Sequence, residues 1–190
     1  MRPDPVPEPA PQDAPERASD GITRRLAAAI RVLHKVEQRG DLAALRRMDP
    51  AQPLAPAFQR LLVRIAPKAG LERAKRIALL AKILALPAGA AALENGRRPL
   101  GLALAEEKIA ERRVQMLMTA RGEALDDAIL RLARRLARRG SLPFVEIGQL
   151  LLGGEDEVED TRYRIARAYW TSRAASEDVA PPSKTGETEE

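Results

Sequence analysis

Cysteine is absent from the 190 residues. That excludes a disulfide framework and thiolate metal sites, and it fits a reducing cytoplasm. Histidine occurs once, as His34, which leaves little for a metal centre or for a Ser-His or Cys-His catalytic arrangement. Two Phe, two Tyr and one Trp are the whole aromatic complement. So few rings argue against recognition by base stacking of the kind used by RRM or OB modules. Val, Ile and Thr, which favour strands, are also scarce. No Gly-rich phosphate loop of the P-loop or dinucleotide type is present. The longest apolar run, Ile77 to Leu86, is interrupted by Lys82 and is too short to span a bilayer. The Pro- and acid-rich N-terminus does not read as a secretory signal. The acidic run 155–160 lacks EF-hand ligand spacing and reads as a solvated loop, and His34 as a surface residue. No assembled set of nucleophile, base and oxyanion donors can be picked out. The sequence therefore predicts no enzyme, cofactor, metal site, small-molecule substrate or membrane partner.

What remains is dominated by Ala, Leu and Arg, all strong helix formers. The formal net charge of +5 is unevenly spread: residues 1–20 carry −3 and residues 175–190 carry −4, so +12 falls on 21–174. An excess of that size over the body favours polyanionic partners. Residues 1–18 hold six prolines and few large apolar groups. They and the acidic stretch 175–190 are expected to be disordered.

Helical periodicity fills the rest. Ile22, Leu26, Ile30, Leu33 and Val36 share a stripe, with Gly40 as the stop. Leu42 to Met48, Pro56 to about Ile65 and Leu71 to Leu86 follow, the last apolar nearly all round and so predicted to be central. Residues 87–99 form a Gly/Pro-marked connection. A long helix from Leu100 to Arg121, a second over Ala124 to Arg139, a short one over Phe144 to Leu152 and a last one ending near Arg173 complete the set. Tyr163, Tyr169 and Trp170 fall at helical spacing there and read as packing residues. The expected architecture is all-α: two small helical bundles packed together, 19–95 and 96–174, between disordered tails.

Basic residues concentrate on Ala124 to Arg139. Leu125, Ile129, Leu132 and Leu136 share one face, and Arg131, Arg134, Arg135 and Arg138 project from the other. No acid lies between Ile129 and Pro143. Helical turns rise about 5.4 Å, so such a row can follow a phosphate backbone, which guanidinium groups bind bidentately. Contacts of this kind position a strand without reading its bases. Arg46-Arg47, Arg97-Arg98 and Arg112-Arg113 are adjacent pairs. Neighbours on a helix point about 100° apart, so one of each pair can face outward while the other bonds internally. Glu107 and Glu111 are the candidate internal partners of Arg112 and Arg113.

Gly40 to Arg47 (Gly-Asp-Leu-Ala-Ala-Leu-Arg-Arg), followed by Pro56 to Leu62 (Pro-Ala-Phe-Gln-Arg-Leu-Leu), resembles the N-terminal half of the CasB family. Pro99 to Ala105 and Glu111 to Leu117 are similar to that family's Leu-Gly-x-Ala-Leu-Ala and Glu-Arg-Arg segments. The resemblance covers roughly residues 22–172. Phe144 and Gly153-Gly154 stand where the family often carries tryptophan. CasB is the small subunit of the type I-E CRISPR Cascade complex. The resemblance implies an all-helical, non-catalytic, cytoplasmic protein, dimeric within Cascade. Its implied partners are the other Cascade subunits, crRNA and the displaced single-stranded non-target DNA, which it holds to stabilise the R-loop. Positions matching the family's basic motifs are Arg46, Arg47, Arg60, Arg112 and Arg113; Arg131, Arg134, Arg135 and Arg138 come from the charge pattern alone. The alternative is a helical adaptor whose arginines bind acidic protein surfaces. A helix-turn-helix transcription factor fits the composition but lacks a short unit with a polar recognition face.

Overall fold

Residues 18–178 are described by the computed structural model, and among them are nine α-helices and no strand. In chain order these are α1 (Ala18–Lys35), α2 (Arg39–Arg47), α3 (Pro56–Ile65), α4 (Leu71–Ala85), α5 (Leu100–Glu106), α6 (Glu111–Thr119), α7 (Gly122–Ala137), α8 (Phe144–Leu152) and α9 (Glu155–Asp178), with a 3₁₀ turn over Ala90–Leu93. The all-α expectation holds. The expected tails fall mostly outside the described residues. Residues 175–178, however, belong to α9, which runs past the expected stop at Arg173.

The apolar run of α4 makes it the central helix: Ile77, Leu80, Ile83 and Leu84 are fully buried. Lys82 interrupts the run without an unpaired buried charge, because its Nζ donates to the Met48 carbonyl at 2.8 Å. α1 and α8 both pack on α4, and α8 also packs on α9. The connection 87–99 is tied down by backbone bonds from Leu142 to Ala92 and from Val145 to Gly96, each 3.0 Å. α5 lies along α9 at very close range: a Cβ on Gly101 would run into the Ile165 carbonyl oxygen. Only glycine fits there.

A buried polar cluster joins α1, α8 and α9. The Gln149 amide nitrogen donates to Asp20 at 2.9 Å. Its oxygen accepts from Thr161 at 3.2 Å and from Arg164 at 2.8 Å. Buried amides need such partners, since an unmet group costs about 1–3 kcal/mol.

Four sequence expectations are corrected. The predicted helix 100–121 is two helices, broken at Lys108, whose φ of 50° is left-handed. Ile109 turns inward there, 1% exposed, and its carbonyl accepts the Tyr169 hydroxyl at 2.6 Å; both pull the chain out of the helix. Gly40 does not end the first helix. That helix stops at Lys35, and Glu37 takes the left-handed conformation (φ 52°) while Gln38 N–H closes onto Leu33 at 3.0 Å. Val36, beyond this stop, is 56% exposed and leaves the predicted stripe. The acidic run 155–160 is not a loop but the first turns of α9, where carboxylates face the positive end of the helix dipole.

Candidate nucleic-acid interface

The α7 sequence separates its two faces cleanly. Leu125, Ile129, Leu132 and Leu136 are buried, each contributing about 1.5–3 kcal/mol by leaving water. That burial leaves Arg131, Arg134, Arg135 and Arg138 exposed on the outer side. At about 100° per residue the four span roughly 100° of arc, and Arg131 to Arg138 is about 10.5 Å along the axis.

Their neighbours differ. Arg131 pairs with Asp127 one turn earlier at 3.2 Å, both side chains being about 70% exposed, a pair worth about 1 kcal/mol or less in water. Arg135 donates to the Glu107 carbonyl at 2.8 Å, leaving further donors of its guanidinium open. Arg134 and Arg138 have no carboxylate partner among the described residues. Glu107 is taken by Arg139 at 3.1 Å and Glu111 by Arg173 at 3.8 Å. Neither therefore neutralises Arg112 or Arg113, which stay exposed on α6. Asp126, also on α7, is turned towards Arg76 at 3.1 Å. Burial raises its pKa against the pull of that cation.

Between α6 and α7 runs a groove of about 450 Å³, lined by Arg113, Arg131, Arg135 and Asp127 together with Met116, Ala128 and Leu132. Arg134 and Arg138 border a smaller cleft, about 300 Å³, against Leu86 and Ala88 just beyond α4. Of the nine arginines singled out in the sequence, Arg113, Arg131 and Arg135 thus share the α6–α7 groove, Arg134 and Arg138 border the separate cleft beside α4, and Arg112 is exposed on α6 but lines neither.

The other three stand apart from that groove. Arg46 is half-buried, and its guanidinium donates to the carbonyls of Ala85 and Pro87, the latter at 2.9 Å. It caps the C-terminal end of α4, so its guanidinium is held within the fold by two of its donors. The adjacent Arg47 is exposed, with no carboxylate partner among the described residues. Arg60 is bound through one nitrogen to both oxygens of Asp41, each at 2.8 Å. His34 titrates below its ordinary range because it is partly buried and because Arg46 is close.

Two features escaped the sequence. Arg24 and Arg31 of α1 meet Arg97 and Arg98 around a cleft of about 690 Å³ floored by Leu93 and Phe144; Arg98 is paired there with Glu106. The signal was present only as pieces: two arginines a heptad apart and a distant Arg-Arg pair. Among the aromatics of α9, Tyr169 is fully buried, as a packing residue should be; Tyr163 is 65% exposed, which corrects the packing role expected of it, and Trp170 is 42% exposed with one edge packed on Tyr169.

Among the described residues no cluster of His, Asp or Glu could hold a metal ion, and no helix is long and apolar enough to cross a membrane. Comparison with known proteins matches residues 41–170 to the family described as CRISPR-associated protein Cse2. No curated protein and no solved structure matches the chain.

Proposed function

Because the chain belongs to the CRISPR-associated Cse2 family, the CasB small subunits of type I-E Cascade, we propose that it holds nucleic-acid backbone on the arginine face of α6 and α7 and stabilises the R-loop without catalysing a reaction. The strands held are the displaced single-stranded non-target DNA and the hybrid of crRNA with its target. Its working partners are the other Cascade subunits and a second copy of itself, in the cytoplasm. Guide pairing reads the sequence in such assemblies, so a subunit that contributes charge and no base code suffices.

One observation carries this reading. Arg131, Arg134, Arg135 and Arg138 face outward together and Arg113 lies across the groove from two of them, while among the described residues only Arg131 is matched by a carboxylate. A protein that merely solvates its surface has no need of so many unmatched cations on one side. The groove is open to solvent and mixes arginines with apolar side chains, which suits a flexible chain laid over it better than an enclosed small molecule.

Charge reversal at Arg131, Arg135 and Arg138 tests it. Each lost contact to single-stranded DNA should remove about 0.7 from the slope of log K against log salt, so the triple variant should flatten it by about 2. Circular dichroism verifies the fold, since all three side chains are exposed. An unchanged slope in the folded variant refutes the arginine face. A protein that binds no DNA in a salt-dependent way, alone or in Cascade, points instead to the adaptor that docks on acidic protein surfaces.

A further inference from the structure

We infer that the outer face of α9 carries a base-stacking site for single-stranded nucleic acid, made by Tyr163 and Trp170 with Arg167 between them. The inference rests on nucleic acid being the partner and adds to the backbone contacts a contact with the bases themselves.

Positions 163, 167 and 170 are spaced i, i+4 and i+7, which confines them to about 60° of one helix face. The opposite face holds the buried Ile165 and Tyr169, which leaves Tyr163 and part of the Trp170 ring open to solvent. Trp170 is also held in place. Its ring meets that of Tyr169 edge-on, at 5.1 Å between centroids and 83° between planes, and Tyr169 is itself fixed by its bond to the Ile109 carbonyl at 2.6 Å. A ring held this way loses little freedom when a base stacks on it.

Charge on this face also suits a polyanion. Glu159 is engaged by Arg121 at 2.8 Å and Arg162 at 2.6 Å, and Asp160 by Arg164 at 3.6 Å. Arg167 has no carboxylate partner among the described residues and can take a phosphate while the flanking rings take bases. The face also adjoins the arginine surface. α6 runs antiparallel beside α9, tied to it by Glu111–Arg173 at one end and Arg121–Glu159 at the other. Arg113, on that same helix, lines the α6–α7 groove. Unpaired strands fit such a surface best, because bases paired in a duplex keep their faces covered, whereas any unpaired base offers a π-face. A second copy of the chain is less suited: Arg167 and the ion-paired Glu159 interrupt the aromatic surface, unlike the contiguous apolar patch of a dimer interface.

Trp170 is the single tryptophan of the sequence, so its fluorescence reports on the site directly. Titrating the full-length protein with oligo-dT at low salt should quench it, and a duplex of equal length should quench it far less. By polarisation of labelled DNA, Trp170→Ala should weaken binding about tenfold, near the lower end of what one stacked base contributes. Trp170→Phe should restore most of that loss. Neither variant should alter the salt slope, because no phosphate contact is removed. Binding with unchanged tryptophan emission overturns the stacking site and leaves the arginine face standing. Absence of binding overturns both. An emission change that grows with protein concentration without DNA assigns the face to a second copy and overturns it as well. The emission is read on the unsubstituted protein, so a misfolded variant does not remove the test.

Discussion

Replacing Arg46 with alanine should cost the fold about 2–4 kcal/mol, whereas the same change at Arg47 should cost about 0.5 kcal/mol or less. The two residues are neighbours on α2 and look equivalent in the sequence. The structure separates them: the Arg46 guanidinium spans from the Ala85 carbonyl to that of Pro87, the latter at 2.9 Å, while Arg47 is exposed. A hydrogen bond with one charged partner contributes about 1.5–3 kcal/mol, and a cation at a helix C-terminus adds about 0.3–1 kcal/mol. Two such bonds, discounted because Arg46 is only half-buried, give the quoted range. With m near 2 kcal/mol per molar urea, the unfolding midpoint should fall by about 1–2 M. Arg46→Lys should recover part of this, since one ammonium cannot reproduce the fork that reaches both carbonyls. His34 supplies a second readout. Burial and the Arg46 charge both hold its pKa down, so in Arg46→Ala the histidine resonance should titrate at higher pH. Equal urea midpoints for the Arg46 and Arg47 variants, at unchanged m, would refute the reasoning.

Two further outcomes follow from particular contacts. Asp127→Ala removes the carboxylate 3.2 Å from Arg131 and with it a negative charge that opposes an incoming phosphate; affinity for single-stranded DNA at low salt should rise severalfold with little change in stability, and unchanged affinity would remove Arg131 from the binding surface. Glu146 is largely buried and its pKa is raised, chiefly by that burial, against the opposing bond from the Leu100 N–H at 2.6 Å. Between the ordinary glutamate value and the raised one the native state binds more protons than the unfolded chain, so this group's contribution to stability increases as pH falls through that window. Glu146→Gln keeps an acceptor for Leu100 and should flatten that rise in a series of melting temperatures against pH; superimposable profiles would contradict it.

The elements read correctly from sequence are those whose burial pattern is local. The apolar run of α4 and the leucine stripe of α7 leave one orientation each, and the α7 arginines follow from the stripe by subtraction. The break between α5 and α6 was not legible, because residues 104–110 are mostly good helix formers. What ends the helix is the burial of Ile109 and a hydroxyl arriving from Tyr169 on a helix sixty positions later. The orientation of α9 was equally hidden: it buries Thr161 and Arg162 alongside Ile165 and Tyr169, so no hydrophobic stripe marks its inner side. Pairings across helices, such as Arg113 with the α7 row or Arg60 with Asp41, depend on tertiary placement, which spacing along one helix does not encode.

The Gln149 amide touches the first helix through Asp20 and the last through Thr161 and Arg164. Fraying of α1 would strip this group of one partner in a place water reaches poorly, and the loss would be felt at once by α9. The first and last of the described helices are therefore tethered through a side chain that belongs to neither, and loosening one weakens the other's hold on the body.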